Sequence, residues 1–456
     1  MAGELIKIEK PPRNTDYMKE ISSSIFNIEG GLQSLENAVQ KTEYPEYLSW
    51  KEIKRKNWLP KEISAITFWE YVKLKRWRGR DTPIRTPEGG SFKWSNLRHY
   101  ERLLNDIDKT NLGGRLLNLV DTNIMSEEEK RRHLSRSLIE ESIASAQIEG
   151  AHTTREQAKK MIKEGRTPAN NSERMIYNNY KTIQYIEENL KNRNLDEQTL
   201  LDLHEMLTRD TLDKPDQAGR YRLPEEYIEV GSDLEDKVAY IPPPVEFVKE
   251  QMSWLIDWAN DKFEMGDFMH PVIKAIALHF WIGFLHPFFD GNGRMARALF
   301  YWYLLHNGYW AFAYIPVSTR IKKSPKQYAW SYIYSEQDDN DLTYFIDYNM
   351  RQIELARKDF EEYLAEQLSK SEDRSKLFSN FPDFNTRQIE LIHHFQSKPK
   401  DRTNITALSR IYGVTPATAV KDLKIMEEAR LLHKKRQGRN VFYYPTDKLL
   451  NSGTDQ

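Results

Sequence analysis

The densest chemistry in the 456-residue sequence lies in twelve consecutive positions, His286-Pro287-Phe288-Phe289-Asp290-Gly291-Asn292-Gly293-Arg294-Met295-Ala296-Arg297. An apolar helix is expected to end at His286-Pro287, and a new one to begin near Arg294. Two glycines beside a helix start let successive backbone N–H groups converge on one point, and the positive helix end adds to their field, so the turn is an anion nest. Arg294 and Arg297 are three apart and share a helix face from which both can reach an anion on the nest. Asp290 precedes the nest, where a carboxylate beside bound phosphate suits a divalent cation, Mg2+ with several waters retained. His286, at the loop entrance, has a side chain whose ordinary pKa suits a general base near neutrality. Singly, these residues read as a capped helix end, an Asp-Gly turn and a solvated arginine face. Their concentration in one loop favours a phosphate-handling site with a base built in.

The elements that must position this loop are mostly helical. The spacing predicts helices at Glu173–Leu190, Asp196–Thr208, Val245–Asp261, Pro271–Leu285 and Arg294–Leu305. A longer one precedes them, starting at Ser126 with three glutamates in its first turn and stopping at Gly150. The clear β signal is Tyr227-Ile228-Glu229-Val230 and Val238-Ala239-Tyr240-Ile241 around a polar Gly231–Asp236 turn, a hairpin closed by Pro242–Pro244. A charged helix over Leu342–Glu372 then leads to a polar break. Upstream, RTPEGGSFKW reads as a loop or hairpin, and Trp50, Trp58, Trp69, Trp77 and Trp94 read as packing residues. The expected fold class is mainly α: residues 1–125 a helical region with loops and no assigned role, 126–370 the catalytic domain, and 380–456 a separate domain.

Composition narrows the classes. Hydrophobic residues are 39% and charged residues 30%, with 67 Lys+Arg against 68 Asp+Glu, a soluble globular profile. The absence of cysteine excludes disulfides, thiolate nucleophiles and Cys-ligated zinc or iron–sulfur clusters. MAGELIKIEKPPRNTD lacks the apolar core of an export signal, and Lys274, His279 and His286 interrupt the most apolar stretch, so a cytoplasmic location is expected. No Walker loop and no kinase His-Arg-Asp triplet occurs.

The run from His286 to Arg297 resembles the complete HPFx(D/E)GNGRxxR signature of the Fic (Fido) family, a helical bundle with a small β-hairpin flap. The resemblance extends over roughly Ser126–Gln352, through EGRTPANNSERMIYNNY and AGRYR. It implies an adenylyltransferase that moves AMP from ATP to a Ser, Thr or Tyr hydroxyl of a protein target. His286 is then the base, and Asp290 holds Mg2+ against the α- and β-phosphates. Asn292 with the Gly291 and Gly293 backbone stabilises the transferring phosphate. Arg294 binds the β-phosphate, Arg297 the γ-phosphate, and Phe288 anchors the loop. Gly293 favours AMP transfer over the phosphotransfer of the family's toxin branch. Within the family, AMP removal and phosphotransfer stay open as alternatives.

Ser145-Ala146-Gln147-Ile148-Glu149-Gly150 is similar to the family's inhibitory motif, (S/T)xxxE(G/N). The resemblance implies that Glu149, one helical turn beyond Ser145, pairs with Arg297 and denies it to the γ-phosphate. The hairpin, through Val230 and Tyr240, is expected to pair with an extended target segment.

Residues 386–446 carry twelve Lys/Arg against five Asp/Glu. Two helical patterns around Tyr412-Gly413-Val414, followed by a basic hairpin turning at Gln437-Gly438, resemble a winged helix-turn-helix. Thr415, Thr418, Lys421 and Lys424 would face a DNA groove, with Arg436 and Arg439 near phosphates. Such modules also dock on proteins, so DNA and protein partners both stay open, as do a homodimer and a nucleotide-sensing DNA-binding regulator in place of an enzyme.

Overall fold

The computed structural model describes residues 4–76, 79–111, 127–231, 237–263, 268–438 and 440–451. From the N-terminus come α1 (Tyr17–Ser24), α2 (Gly31–Gln40), α3 (Trp50–Ile53), α4 (Ala65–Arg76), β1 (Arg80–Arg85), β2 (Ser91–Trp94) and α5 (Arg98–Asn111). Next are α6 (Glu127–Ile148), α7 (Arg155–Glu164), α8 (Asn171–Tyr185), α9 (Glu197–Thr208), β3 (Val230–Gly231), β4 (Val238–Tyr240), α10 (Val245–Ala259), α11 (Pro271–Leu285) and α12 (Asn292–His306). The chain continues through α13 (Ser318–Ile321), α14 (Pro325–Gln337), α15 (Thr343–Asn380), α16 (Thr386–Ser397), α17 (Ile405–Tyr412), α18 (Pro416–Glu428), β5 (Leu432–Gln437), β6 (Asn440–Pro445) and α19 (Asp447–Asn451). The fold is mainly α, as expected, and the strands form three two-stranded hairpins among the described residues, with isolated bridges from Leu5 to Val238, Lys93 to Asp341 and Thr403 to Tyr443. No helix among the described residues is long and apolar enough to cross a membrane.

Two compact units form. The first comprises Met1–Asp108, Glu188–Gly308 and Arg320–Glu354. Its axis is α11 packed on α12, and both are buried along nearly their whole length, with Trp281 and Trp302 sealed between turns. A smaller apolar cluster of Leu35, Ile53, Phe68, Trp69 and Val72 holds α2, α3 and α4 together. Trp50, Trp69 and Trp94 are buried, as packing residues should be. The Gly89-Gly90 segment turns the β1–β2 hairpin.

The second unit comprises Lys109–Glu187, Tyr309–Thr319 and Leu355–Gln456. Leu138, Ile139 and Ile143 of α6 pack with Met161 and Ile162 of α7 and Ile176, Tyr180 and Ile183 of α8. A separate core of Ile389, Phe395, Leu408, Leu423, Met426 and Tyr443 closes α16, α17 and α18 onto the β5–β6 hairpin. Charge pairs tie this C-terminal segment to α6: Arg387 to Glu128, and Arg132 to Glu390.

The expected Pro271–Leu285 helix forms with those bounds, and the helix expected over Glu173–Leu190 is α8 followed by a π turn at Ile186–Leu190. Ser126, Trp77, Arg439 and turn residues 232–236 lie outside the described residues.

Candidate active site

The loop is built on the rigidity of α11. His270 caps the helix by accepting from the Val272 N–H at 3.1 Å, and Pro271 supplies a first turn that needs no N–H donor. His270 Nε2 also lies 3.1 Å from Asp108, so this histidine is engaged as a cap. At the far end His286 itself adopts a left-handed conformation, φ 48°, with its N–H on the Ile282 carbonyl at 2.9 Å. For a residue with a Cβ this conformation costs on the order of 1 kcal/mol, and Pro287 stops the helix from running on. His286 Nδ1 lies 3.2 Å from the Gly283 carbonyl. A carbonyl only accepts, so Nδ1 carries the proton and Nε2 the lone pair, the arrangement a general base needs.

Below the loop, Phe288 is fully buried and stacks on His204 with ring centroids 3.7 Å apart and planes 5° from parallel. His204 Nε2 donates to the Asp290 carbonyl at 2.9 Å, and Nδ1 accepts from the Gly219 N–H at 3.0 Å. The Nδ1 acceptor bond requires the neutral ring, and burial pushes its pKa down to about 4. Arg222 grips the loop from another side. Its Nε donates to the His286 carbonyl and its N–H to the Pro287 carbonyl, each at 2.9 Å, while Nη2 donates to the Pro243 carbonyl. Asn292 closes the turn on itself, accepting from the Phe288 N–H at 2.9 Å and donating to the Phe288 carbonyl at 2.8 Å.

Gly291 has φ 85°, and a Cβ there would sit 2.7 Å from Thr208 Cγ2 and 3.3 Å from His204 Nε2. Only glycine satisfies both conditions. The first intrahelical bond of α12 runs from the Met295 N–H to the Gly291 carbonyl at 2.9 Å, so the preceding N–H groups are not used within the helix. Arg294 and Arg297 rise from this turn, 1% and 2% exposed, at positions where a solvated helix face would leave them open. Arg294 Nη1 donates to the Leu207 carbonyl at 3.0 Å and Nη2 to Asp290 Oδ2 at 3.3 Å, while its Nε is buried with no hydrogen-bond partner. The Arg297 charge, second to burial, pushes the pKa of buried His279 down to about 3. The Asp290 carboxylate is half exposed and accepts from the Gly291 N–H. A single exposed carboxylate beside an anion nest is a donor set that would suit a hydrated magnesium ion.

His286, Asp290, Gly291, Asn292, Gly293, Arg294 and Arg297 therefore share one loop and helix start. The Asn292 side chain has both polar atoms on the Phe288 backbone and so shapes the loop, and its Nδ2 group has a second hydrogen beyond the one given to Phe288. In the hairpin, Val230 pairs with Tyr240. The outer edge of β4 is taken by the N-terminal segment: the Ile6 N–H donates to the Val238 carbonyl at 2.9 Å and the Val238 N–H to the Glu4 carbonyl at 3.0 Å. The edge left over is that of β3. Tyr240 lies against Phe284, centroids 5.7 Å apart, and burial holds its phenol well above the usual value.

Ser145 and Glu149 belong to the second unit, Ser145 buried in α6 and Glu149 just past its end, with its N–H on the Ala146 carbonyl at 3.1 Å. Thr415 caps α18 by accepting from the Thr418 N–H at 3.3 Å. Lys421, Lys424 and Arg436 are exposed, and Arg439 lies outside the described residues.

His204, Thr208 and Arg222 were not singled out by the sequence reading. A lone histidine among Leu200, Leu203 and Leu207 is the signal His204 offers, and Arg222 sits inside AGRYR.

Residues 194–304 match the family model described as "Fic/DOC family". The chain is similar to the protein adenylyltransferase fic-1 of Caenorhabditis briggsae, 34% identical over 108 residues, 24% of this chain and 19% of that protein. A protein adenylyltransferase Fic of Culex quinquefasciatus is 31% identical over 166 residues, 36% of this chain and 30% of the relative. The chain thus spans about a fifth to a third of the curated relatives it matches. Among solved structures, a Fic family protein from Desulfovibrio desulfuricans G20 superposes with TM-score 0.49 at 22% identity, covering 78% of this chain and 98% of that one.

Proposed function

We propose, from the match of residues 194–304 to the Fic/DOC family model, that the chain is a protein adenylyltransferase that moves AMP from ATP to a Ser, Thr or Tyr hydroxyl of a protein target. The carrying observation is a pair of sealed arginines behind a glycine-built anion nest, with a histidine lone pair at its mouth. The target hydroxyl oxygen attacks the α-phosphorus, the bond to the β-phosphate breaks, and pyrophosphate leaves. The hydroxyl proton passes to His286 Nε2. Arg294 and Arg297 orient the leaving phosphates, and the N–H groups around Gly291 and Gly293 meet charge developing on the α-phosphate. Asp290 is the residue that would hold Mg2+, which supplies charge neutralisation on the phosphates. Asn292, His204 and Arg222 keep the loop in shape. The open edge at Val230 is the side of the flap available to an extended target, with Tyr240 anchoring the flap on Phe284.

Glu149, one turn beyond Ser145, restrains the transfer in this proposal. The test is incubation of wild type, Glu149→Gly and His286→Ala with Mg·ATP, followed by intact mass. A gain of one AMP in Glu149→Gly that exceeds wild type, with His286→Ala silent, supports it. A gain equal to one phosphate would replace AMP transfer with phosphotransfer.

A second role rests on a separate observation. The basic face of α18 and strand β5 are exposed, while Ala419, Leu423 and Met426 on the other face of α18 pack into the core with Leu408 and Tyr412 of α17. This supports a winged helix-turn-helix that docks on nucleic acid through Thr415, Thr418, Lys421, Lys424 and Arg436. Duplex affinity that falls steeply with salt supports it, and no binding at low salt favours a protein partner.

A further inference from the structure

The second unit holds a cavity of about 640 Å³ that plays no part in the loop chemistry. It lies among the N-terminal half of α6, the face of α7, and α16 with the loop that leads into α17. Its volume falls within the roughly 300–1,000 Å³ typical of small-molecule sites. Ile139, Leu391, Leu408 and Ile411 give it an apolar lining. Around them stand seven Lys and Arg side chains against four Asp and Glu.

Most of that charge is accounted for within the unit. Arg132 pairs with Glu390, Arg402 with Glu164 at 3.4 Å, and Asp401 with His394 at 2.9 Å. Lys159 pairs with Glu140 at 2.6 Å, and Glu140 also receives Arg155. Two features stand out. Lys163 is half-buried and makes no hydrogen bond or ion pair among the described residues. It stands one helical turn beyond Lys159, where two like charges repel. Burial first, and the Lys159 charge second, push the Lys163 pKa below the ordinary lysine value, with Asp401 only partly offsetting them. The other feature is Arg132 Nη2, which is buried without a hydrogen-bond partner. An ammonium held half out of water without an acceptor is costly, and an anion entering the cavity would satisfy Lys163.

We propose that this cavity binds a small organic phosphate of about mononucleotide size. Lys163 holds the phosphate group together with Lys159, which would share its ammonium between Glu140 and the ligand, and the apolar lining takes the organic part. A phosphate suits this donor set because ammonium groups give it short charge-assisted hydrogen bonds from several directions. Bound there, it would bridge α6, α7 and the C-terminal helices.

The probe is phenyl phosphate, titrated by calorimetry into the full chain at fixed ionic strength. Saturable binding with a Kd of about 1 mM or tighter is expected, weakened at least about tenfold in Lys163→Met and in Lys159→Met. Lys163→Met removes an unpaired, half-buried charge, so its thermal midpoint should hold or rise. A readout in wild type covers any folding defect: phenyl phosphate should slow acetylation of Lys163 by acetic anhydride, followed by peptide mass. Equal binding by wild type and Lys163→Met, or no slowing at Lys163, overturns the site. Inorganic phosphate binding as tightly as phenyl phosphate overturns the organic part of the ligand.

Discussion

Two helix–turn–helix connections in this chain carry basic residues and treat them in opposite ways. Between α11 and α12 the turn has left-handed residues at both ends, His286 at φ 48° and Gly291 at φ 85°, and the cations that follow are sealed inside. Between α17 and α18 the turn is short, with Gly413 at φ 61° and Thr415 as cap, and Lys421 and Lys424 point into solvent. The only acidic neighbour of Lys424 among the described residues is Glu428, at 3.7 Å. A buried guanidinium acts through a poorly screening medium from a fixed position. An exposed lysine acts through water and salt, which damp its field over about 8–10 Å. The first arrangement suits a reaction in which charge must be met at one point, the second a surface that docks and releases.

The comparison breaks first at His286. His286→Ala should lower AMP transfer by about 10²–10⁴-fold, measured as kcat on the Glu149→Gly background, with nucleotide affinity retained. A loss confined to KM would make His286 a binding residue and leave the loop without its base.

The two turn glycines sharpen the contrast. Gly291→Ala meets both a left-handed backbone and Thr208 Cγ2 at 2.7 Å, so it should cost about 1–3 kcal/mol of stability and about 10²-fold in transfer. Gly413→Ala has the same backbone problem, but its nearest neighbour is Arg131 Cδ at 2.8 Å, part of a flexible side chain. It should cost about 1 kcal/mol and leave transfer unchanged. Urea midpoints and kcat measured on both variants separate a strained turn from a catalytic one.

Smaller again is a pH effect from the scaffold under the loop. His204 and His279 are held neutral by burial, at about 4 and about 3. Unfolded histidine titrates near 6.5, so below that pH the unfolded chain takes up protons that the folded chain refuses. Their contribution is therefore full above about pH 6.5 and is lost as pH falls, by up to about 1.4 kcal/mol per pH unit for each residue. Urea midpoints should be flat near neutrality and fall towards about pH 4.5, less steeply in His204→Gln. A flat profile through that window would mean that these rings are protonated and the hydrogen-bond pattern around His204 is different.

How much of this was legible depended on distance along the chain. The loop could be read as one unit because the residues proposed to do chemistry are contiguous, from His286 to Arg297. The mainly helical fold could be read for the same reason, since α11 and α12 are long and uniformly apolar. His204 and Arg222 were hidden because they act on backbone carbonyls, at Asp290, His286 and Pro243, and a carbonyl leaves no mark in the sequence. The bonds of Asn292 to the Phe288 backbone were not legible, because an amide suits a neighbouring backbone as well as it suits an anion. The covered edge of β4 depends on Glu4–Ile6, a segment remote in sequence with no pattern pointing to the flap. Likewise, the pairs Arg387–Glu128 and Arg132–Glu390 bind the C-terminal helices to α6 without any periodicity that could announce them.

The smallest expected effect lies on the exposed side of the comparison. Lys421→Ala and Lys424→Ala should each change stability by no more than about 0.5 kcal/mol and leave AMP transfer at the wild-type rate, because neither side chain supports the fold. If α18 lies against nucleic acid, each change should weaken duplex binding to every sequence alike, and lower the slope of log affinity against log salt by about 0.9. Fluorescence anisotropy with a labelled duplex at several salt concentrations reads both quantities. A change in slope places the lysines at phosphates. Unchanged binding and slope would assign the exposed face of α18 to a protein partner, and the contrast with Arg294 and Arg297 would then be between chemistry and docking, with nucleic acid removed from the account.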